Sequence, residues 1–190
     1  MIENTELQAK LDEFAKHFPK IDFSNVTSGY DQVEKLLLPH LDTFTKEQWE
    51  TILDRKYSNL FQRGTPHISW RDERELIIYE LINKHDLRPC ATWNETWYSV
   101  RKYSLKLPAG VILEMKIEDP ISWSGSSRTH YNIDITDEFI PVPTHRAVIL
   151  KVGDDTRAYI ANQFAGTLDE CENWVAENVK GNFFKIMPIK

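Results

Sequence analysis

Glu114 and Lys116 stand two residues apart in "GVILEMKIED", residues 110–119, where apolar residues alternate with polar ones. Side chains two apart on a strand share a face, so this carboxylate and this ammonium are expected to project side by side. A carboxylate and an ammonium on one strand face could hold a catalytic metal ion and assist a proton transfer beside it. A hard divalent cation needs more than one carboxylate oxygen from the protein, because a single anionic ligand holds it weakly. The strand expected before it, 97–107, contains no Asp or Glu. Glu95 is the nearest acid upstream, nineteen positions before Glu114, while Glu118 and Asp119 fall beyond the expected strand end. Half of a ligand set is present, so no divalent metal is expected.

His130, Asn132 and Asp134 alternate with Tyr131, Ile133 and Ile135 in "HYNIDIT" and form a polar row on one strand face. With Ser124, Ser126 and Ser127 close by, they hold the residue types of a Ser/His/Asp hydrolase. No G-x-S-x-G elbow accompanies them, and a polar face is what an antiparallel strand shows wherever one side meets water. The six histidines are scattered, without HxH, HxxxH or Cys/His clustering. No glycine-rich phosphate loop is present among only seven glycines. No cofactor is expected.

Two family resemblances bear on these residues. Glu114 and Lys116 are similar to the ExK pair of the restriction-endonuclease-like fold, which implies a metal-dependent nuclease with an acid on the preceding strand. The segment "PISWSGSSRTHYNIDITDEFIPVPTHRAVILKV", 120–152, resembles the end of mono-ADP-ribosyltransferase domains. That resemblance implies an NAD-using enzyme with Glu138 as catalytic glutamate and Arg63, in "LFQRGT", as the early arginine. The family's Glu-x-Glu has Thr136 at its first position here, and "CATWNE" stands where Ser-Thr-Ser is wanted.

The chain of 190 residues carries a formal charge of −6, which argues against a surface built throughout for nucleic acid. Its longest apolar runs are too short to span a bilayer. No secretory signal is visible at the N-terminus, and Cys90 and Cys171 form no disulfide framework. A soluble, cytoplasmic protein with free thiols is expected.

The elements that must position these residues divide into two grammars. Over 1–88 the apolar spacing is helical: Leu7, Leu11, Phe14 and Phe18, then Tyr30, Val33, Leu37 and Leu41 behind Ser28 as N-cap. Pro39 should end or kink that second helix. Thr45 and Gln48 make a capping box for a third, and a fourth is expected from Ser69 with Ile77 and Leu81 inward. Beyond Pro89 the period becomes two. Strands are expected at 97–107, 111–117, 130–136, 145–152, 156–163 and 183–189, with a helix over 168–180 behind the capping box of Thr167 and Glu170. The expected architecture is α+β: an N-terminal bundle of about four helices, then a mostly antiparallel sheet of about six strands with one packing helix. The helical region 1–88 and the sheet region 89–190 could share one core.

No intact catalytic set can be assembled from these motifs. The favoured function is therefore a protein-interaction module of inhibitor, immunity or adaptor type, with the ADP-ribosyltransferase and nuclease readings as rivals. Six tryptophans are the most unusual compositional feature, and tryptophan concentrates at interfaces. On 97–107, Trp97, Tyr103, Leu105 and Leu107 share the expected core face. The other face, with Tyr98, Val100, Lys102 and Lys106 beside Trp93, is the expected partner surface.

Overall fold

A computed structural model describes residues 2–26, 30–61, 74–121, 128–153 and 157–189. The chain separates into two compact units, residues 1–139 and 140–190.

In the first unit, α1 (Ile2–Ala15) leads to α2 (Tyr30–Leu37), which passes into a 3₁₀ helix, Leu38–Thr43. Pro39 at the start of that 3₁₀ turn ends the α-helical ladder, as its missing N–H requires. Then follow α3 (Lys46–Leu53), a second 3₁₀ helix (Arg55–Leu60) and α4 (Glu75–Lys84). The Thr45 capping box forms: its hydroxyl accepts from the Gln48 N–H, and the Gln48 side chain accepts from the Thr45 N–H. Ser28, Arg63 and residues 69–73 of the expected fourth helix lie outside the described residues. α4 starts from Arg74, a non-glycine residue at φ 73°. The buried Glu34 accepts the Arg74 N–H at 3.1 Å, and the guanidinium reaches the Leu53 carbonyl at 3.1 Å. Those bonds hold a conformation that L-residues otherwise avoid.

The helical segments do not form the expected bundle. They are short, and their apolar faces close on a sheet instead of on one another alone. β1 (Ala91–Asn94), β2 (Tyr98–Lys106), β3 (Ile112–Pro120) and β4 (His130–Thr136) form an antiparallel sheet in that order. Leu113, Met115 and Ile117 from β3 and Ile133 from β4 are buried in one cluster with Leu11, Phe14, Trp49, Ile77 and Leu81 from the helices. Phe14 is its aromatic hub, with ring centroids 4.7 Å from Phe18, 5.2 Å from Tyr57 and 5.8 Å from Phe61. Residues on both sides of position 88 thus belong to one core.

The second unit holds β5 (His145–Val152), β6 (Ala158–Gly166), α5 (Leu168–Asn178) and β7 (Phe183–Pro188). Its sheet has the order β6-β5-β7, again antiparallel. The expected single sheet of about six strands is therefore two sheets, of four and three strands. Alternation within a strand reports a buried face but says nothing about which strands pair. Ala147, Cys171 and Val175 are the buried centre, lined by Phe164, Trp174, Val179 and Ile186. The Thr167–Glu170 capping box forms at the start of α5. Gly166 precedes it, where a Cβ would lie 2.6 Å from Glu170 Oε2 and 2.8 Å from Phe164 Cε1. The described residues contain no helix long and apolar enough to cross a membrane.

Candidate functional site on the four-stranded sheet

One face of the first sheet closes on the helices, and the strand register places most of the chemistry-bearing residues on the other. Val100, Glu118 and His130 form one row across β2, β3 and β4. Lys102, Lys116 and Asn132 form the next, then Ser104, Glu114 and Asp134, then Lys106, Ile112 and Thr136. β1 adds Trp93 beside Val100 and Ala91 beside Lys102. Period-two spacing alone brings these residues to a common surface.

Glu114 is the electrostatic centre of this face. Lys102 Nζ donates to its Oε2 at 2.6 Å and Lys116 Nζ to its Oε1 at 3.2 Å. Burial works against the Glu114 charge, yet the two lysine hydrogen bonds outweigh it and hold the carboxyl below its ordinary range. Each oxygen of the Glu-x-Lys motif is thus already engaged. Among the described residues, no group of three or more His, Cys, Asp or Glu is placed to hold a metal ion. The three lysines of the face meet Glu114, Glu118 and Asp134 in equal number. β2 read alone is basic; the face it joins is balanced.

At one end of the face, His130 Nε2 lies 3.3 Å from the Tyr98 hydroxyl, with the rings 5.5 Å apart and edge to face. Asp134 sits two rows from His130, about 13 Å along the strand, too far for a His–Asp hydrogen bond. Ser124, Ser126 and Ser127 lie outside the described residues, as does Arg63. Glu138 is exposed beyond the end of β4, and its N–H donates to the Thr136 hydroxyl at 3.2 Å. Thr136 therefore serves the backbone of the turn that carries Glu138.

The residues of the expected partner surface fall into three environments. Trp93 and Lys106 are exposed, Tyr98 and Lys102 are half-buried, and Val100 is wholly buried. Val100 offers no area to a partner. Trp97 departs most from expectation. β2 begins one residue later, so Trp97 sits in the turn after β1 and is 65% exposed, whereas its spacing from Tyr103 suggested a core position. Its carbonyl accepts the N–H of Ile121, which is 51% exposed. Trp93 Nε1 donates to Glu95 Oε1 at 3.0 Å, which orders the same turn.

The helix-facing side carries a polar network that motif reading missed. Arg101 donates to Asp119 at 2.7 Å, and Asp119 also accepts from Thr129 at 3.1 Å. The Tyr131 hydroxyl lies 3.1 Å from that of Tyr79 on α4 and donates to Glu75 at 3.5 Å. Burial, then the bond to Tyr79 and the nearby Glu75 charge, push the Tyr131 phenol well above its ordinary value. The pairing of Arg101 on β2 with Asp119 at the end of β3 was the available signal.

Comparison of the chain with known protein families, characterised proteins and solved structures gives no match.

Proposed function

We propose that this protein is a protein-binding module that recognises its partner through the aromatic end of the first sheet, with Trp93 and Trp97 as anchors. The observation that supports this reading is the exposure of Trp97, 65%, with Ile121, its backbone hydrogen-bond partner, and Trp93, four residues before it, also exposed. Large apolar side chains clustered at a surface are what interface centres are made of, and tryptophan is the commonest hot-spot residue. Tyr98, half-buried on β2 against His130, lies next to Trp97 in the chain, while Lys102 serves as an ion-pair partner of Glu114 more than as a contact. Lys106 would lie at the rim.

The test is capture with the intact protein carrying a photoreactive group at the exposed position 96, beside both anchors. The expected result is one saturable adduct, with Trp93→Ala and Trp97→Ala each weakening binding about thirtyfold, equivalent to ~2 kcal/mol. Both variants should keep the wild-type circular dichroism. Incubation with labelled NAD is the opposing arm. Label transfer that disappears in Glu138→Gln would overturn the binding-module reading in favour of an ADP-ribosyltransferase.

A further inference from the structure

The aromatic end of the first sheet carries two carboxylates that stand outside its ion pairs. Trp93, Val100, Glu118 and His130 form one row across β1, β2, β3 and β4. Trp93, 38% exposed, donates its indole N–H to Glu95 Oε1 at 3.0 Å. Glu95 is exposed and Glu118 half-buried. The cations nearest in register and sequence are taken: Arg101 by Asp119, Lys102 and Lys116 by Glu114, and Arg128 has an interaction of its own. Among the described residues, neither Glu95 nor Glu118 meets a Lys or Arg in an ion pair.

We propose that this end takes a basic segment of the partner protein, with one arginine stacked on the Trp93 indole beside Glu95 and a second base paired with Glu118. The inference rests on the binding-module reading and names the chemistry of its partner. A cation is drawn to the face of an aromatic ring, and to tryptophan most strongly. Because Glu95 accepts the indole N–H, its carboxylate is fixed at the ring edge, where it attracts any cation seated over that ring. The same hydrogen bond polarises the indole and leaves its face richer in electrons. Arginine suits this place better than lysine, since a planar guanidinium stacks on the ring while its N–H groups stay in plane for a carboxylate. Glu118 lies two strands from Trp93, about 10 Å between backbones, within the span of a second side chain of the same segment. Charge over a longer range agrees. Residues 140–190 hold six basic and six acidic residues, so the whole acidic excess of six lies in residues 1–139, the unit that carries this end. That field draws a basic segment in and repels an acidic one.

The test is titration of the intact, isotope-labelled chain with the end-blocked peptide Gly-Arg-Gly-Arg-Gly, read at the tryptophan indole N–H resonances. Saturable shifts of Trp93 and Trp97 are expected with a Kd of about 1 mM at low salt, weakening as salt screens the charges. The peptide Gly-Glu-Gly-Glu-Gly should shift neither. Glu95→Gln and Glu118→Gln should each weaken binding about threefold, and Trp93→Ala, read at Trp97, about tenfold. Asp134→Asn, which removes an exposed acid two rows along the same face, should change nothing. Circular dichroism checks the fold of each variant. Failure of the arginine peptide to shift Trp93, equal shifts by the glutamate peptide, or a loss in Asp134→Asn that matches the loss in Glu95→Gln overturns the proposal. An adduct at position 96 that still forms in any of these cases leaves the binding module standing, so the two failures are told apart.

Discussion

Glu114 and Asp134 face each other across adjacent strands, paired in the register of β3 and β4 on the side of the sheet away from the helices. The second acid that a divalent ion would require is therefore on the strand after Glu114. Both Glu114 oxygens nevertheless accept from lysines, and a cation would have to displace two ammonium groups. Titration calorimetry with Mg²⁺ or Mn²⁺ is expected to show no micromolar binding. Stoichiometric binding that disappears in Glu114→Gln would reinstate the nuclease reading.

The same triad sets a pH dependence. Glu114 has a lowered folded-state pKa, so its contribution is present above the unfolded value of about 4.3 and is lost as pH falls through the folded value. Lys102→Met breaks a largely buried charged hydrogen bond and should cost about 2 kcal/mol at neutral pH. Urea melts at successive pH values check the sign. The difference between Lys102→Met and wild type should shrink below about pH 4 as Glu114 protonates in both. A difference that grows on acidification would refute the assignment.

Several elements were legible in the sequence because the rule behind each is local. Thr45 with Gln48 and Thr167 with Glu170 need only four residues to signal a helix start, and both boxes form. Val111, Leu113, Met115 and Ile117 alternate, and all four are buried. Pairing between distant strands is not local. Nothing in "HRAVILKV" says that it joins β6 and β7 in a separate sheet. The balance of charge around Glu114 was hidden for the same reason, since it sums residues from β2, β3 and β4. Trp97 was misplaced by one residue of strand boundary, enough to move its side chain from core to solvent.

Phe14 should be the most costly single truncation in the first unit. Its ring is fully buried and touches Phe18, Phe23, Tyr57 and Phe61. Phe14→Ala removes those contacts and leaves a cavity, for a loss of about 3–5 kcal/mol. The midpoint of urea unfolding would show it. A loss below about 1 kcal/mol would mean that the helices repack freely.

Gly166 is needed for space, since its φ is not one that glycine alone adopts. Gly166→Ala drives a methyl toward Glu170 Oε2 and Phe164 Cε1 and should cost about 1–3 kcal/mol. Amides at the start of α5 should then exchange faster, because Glu170 must leave the Thr167 N–H it accepts at 2.7 Å. Unchanged exchange at Glu170 and Cys171 would place the strain elsewhere.

The two thiols offer separate reporters of the two units. Cys90 lies in the first, 6% exposed, and its Sγ donates to the Lys102 carbonyl at 3.4 Å. Burial pushes this thiol up, with nearby Lys102 opposing, so little thiolate is available at neutral pH. Cys171 is wholly buried in the second unit. Neither should react rapidly with an aromatic disulfide reagent in the native protein, and both should react in strong urea. The order in between follows from core size: among the described residues, twenty-four form the first buried cluster, whereas Ala147, Cys171 and Val175 form the second, with Val148 and Ile149 buried outside it. Cys171 in a Cys90→Ser chain should become reactive at lower urea than Cys90 in a Cys171→Ser chain. Coincident transitions would instead show that the units unfold cooperatively, and an earlier Cys90 transition would locate the weaker region in β1 and β2.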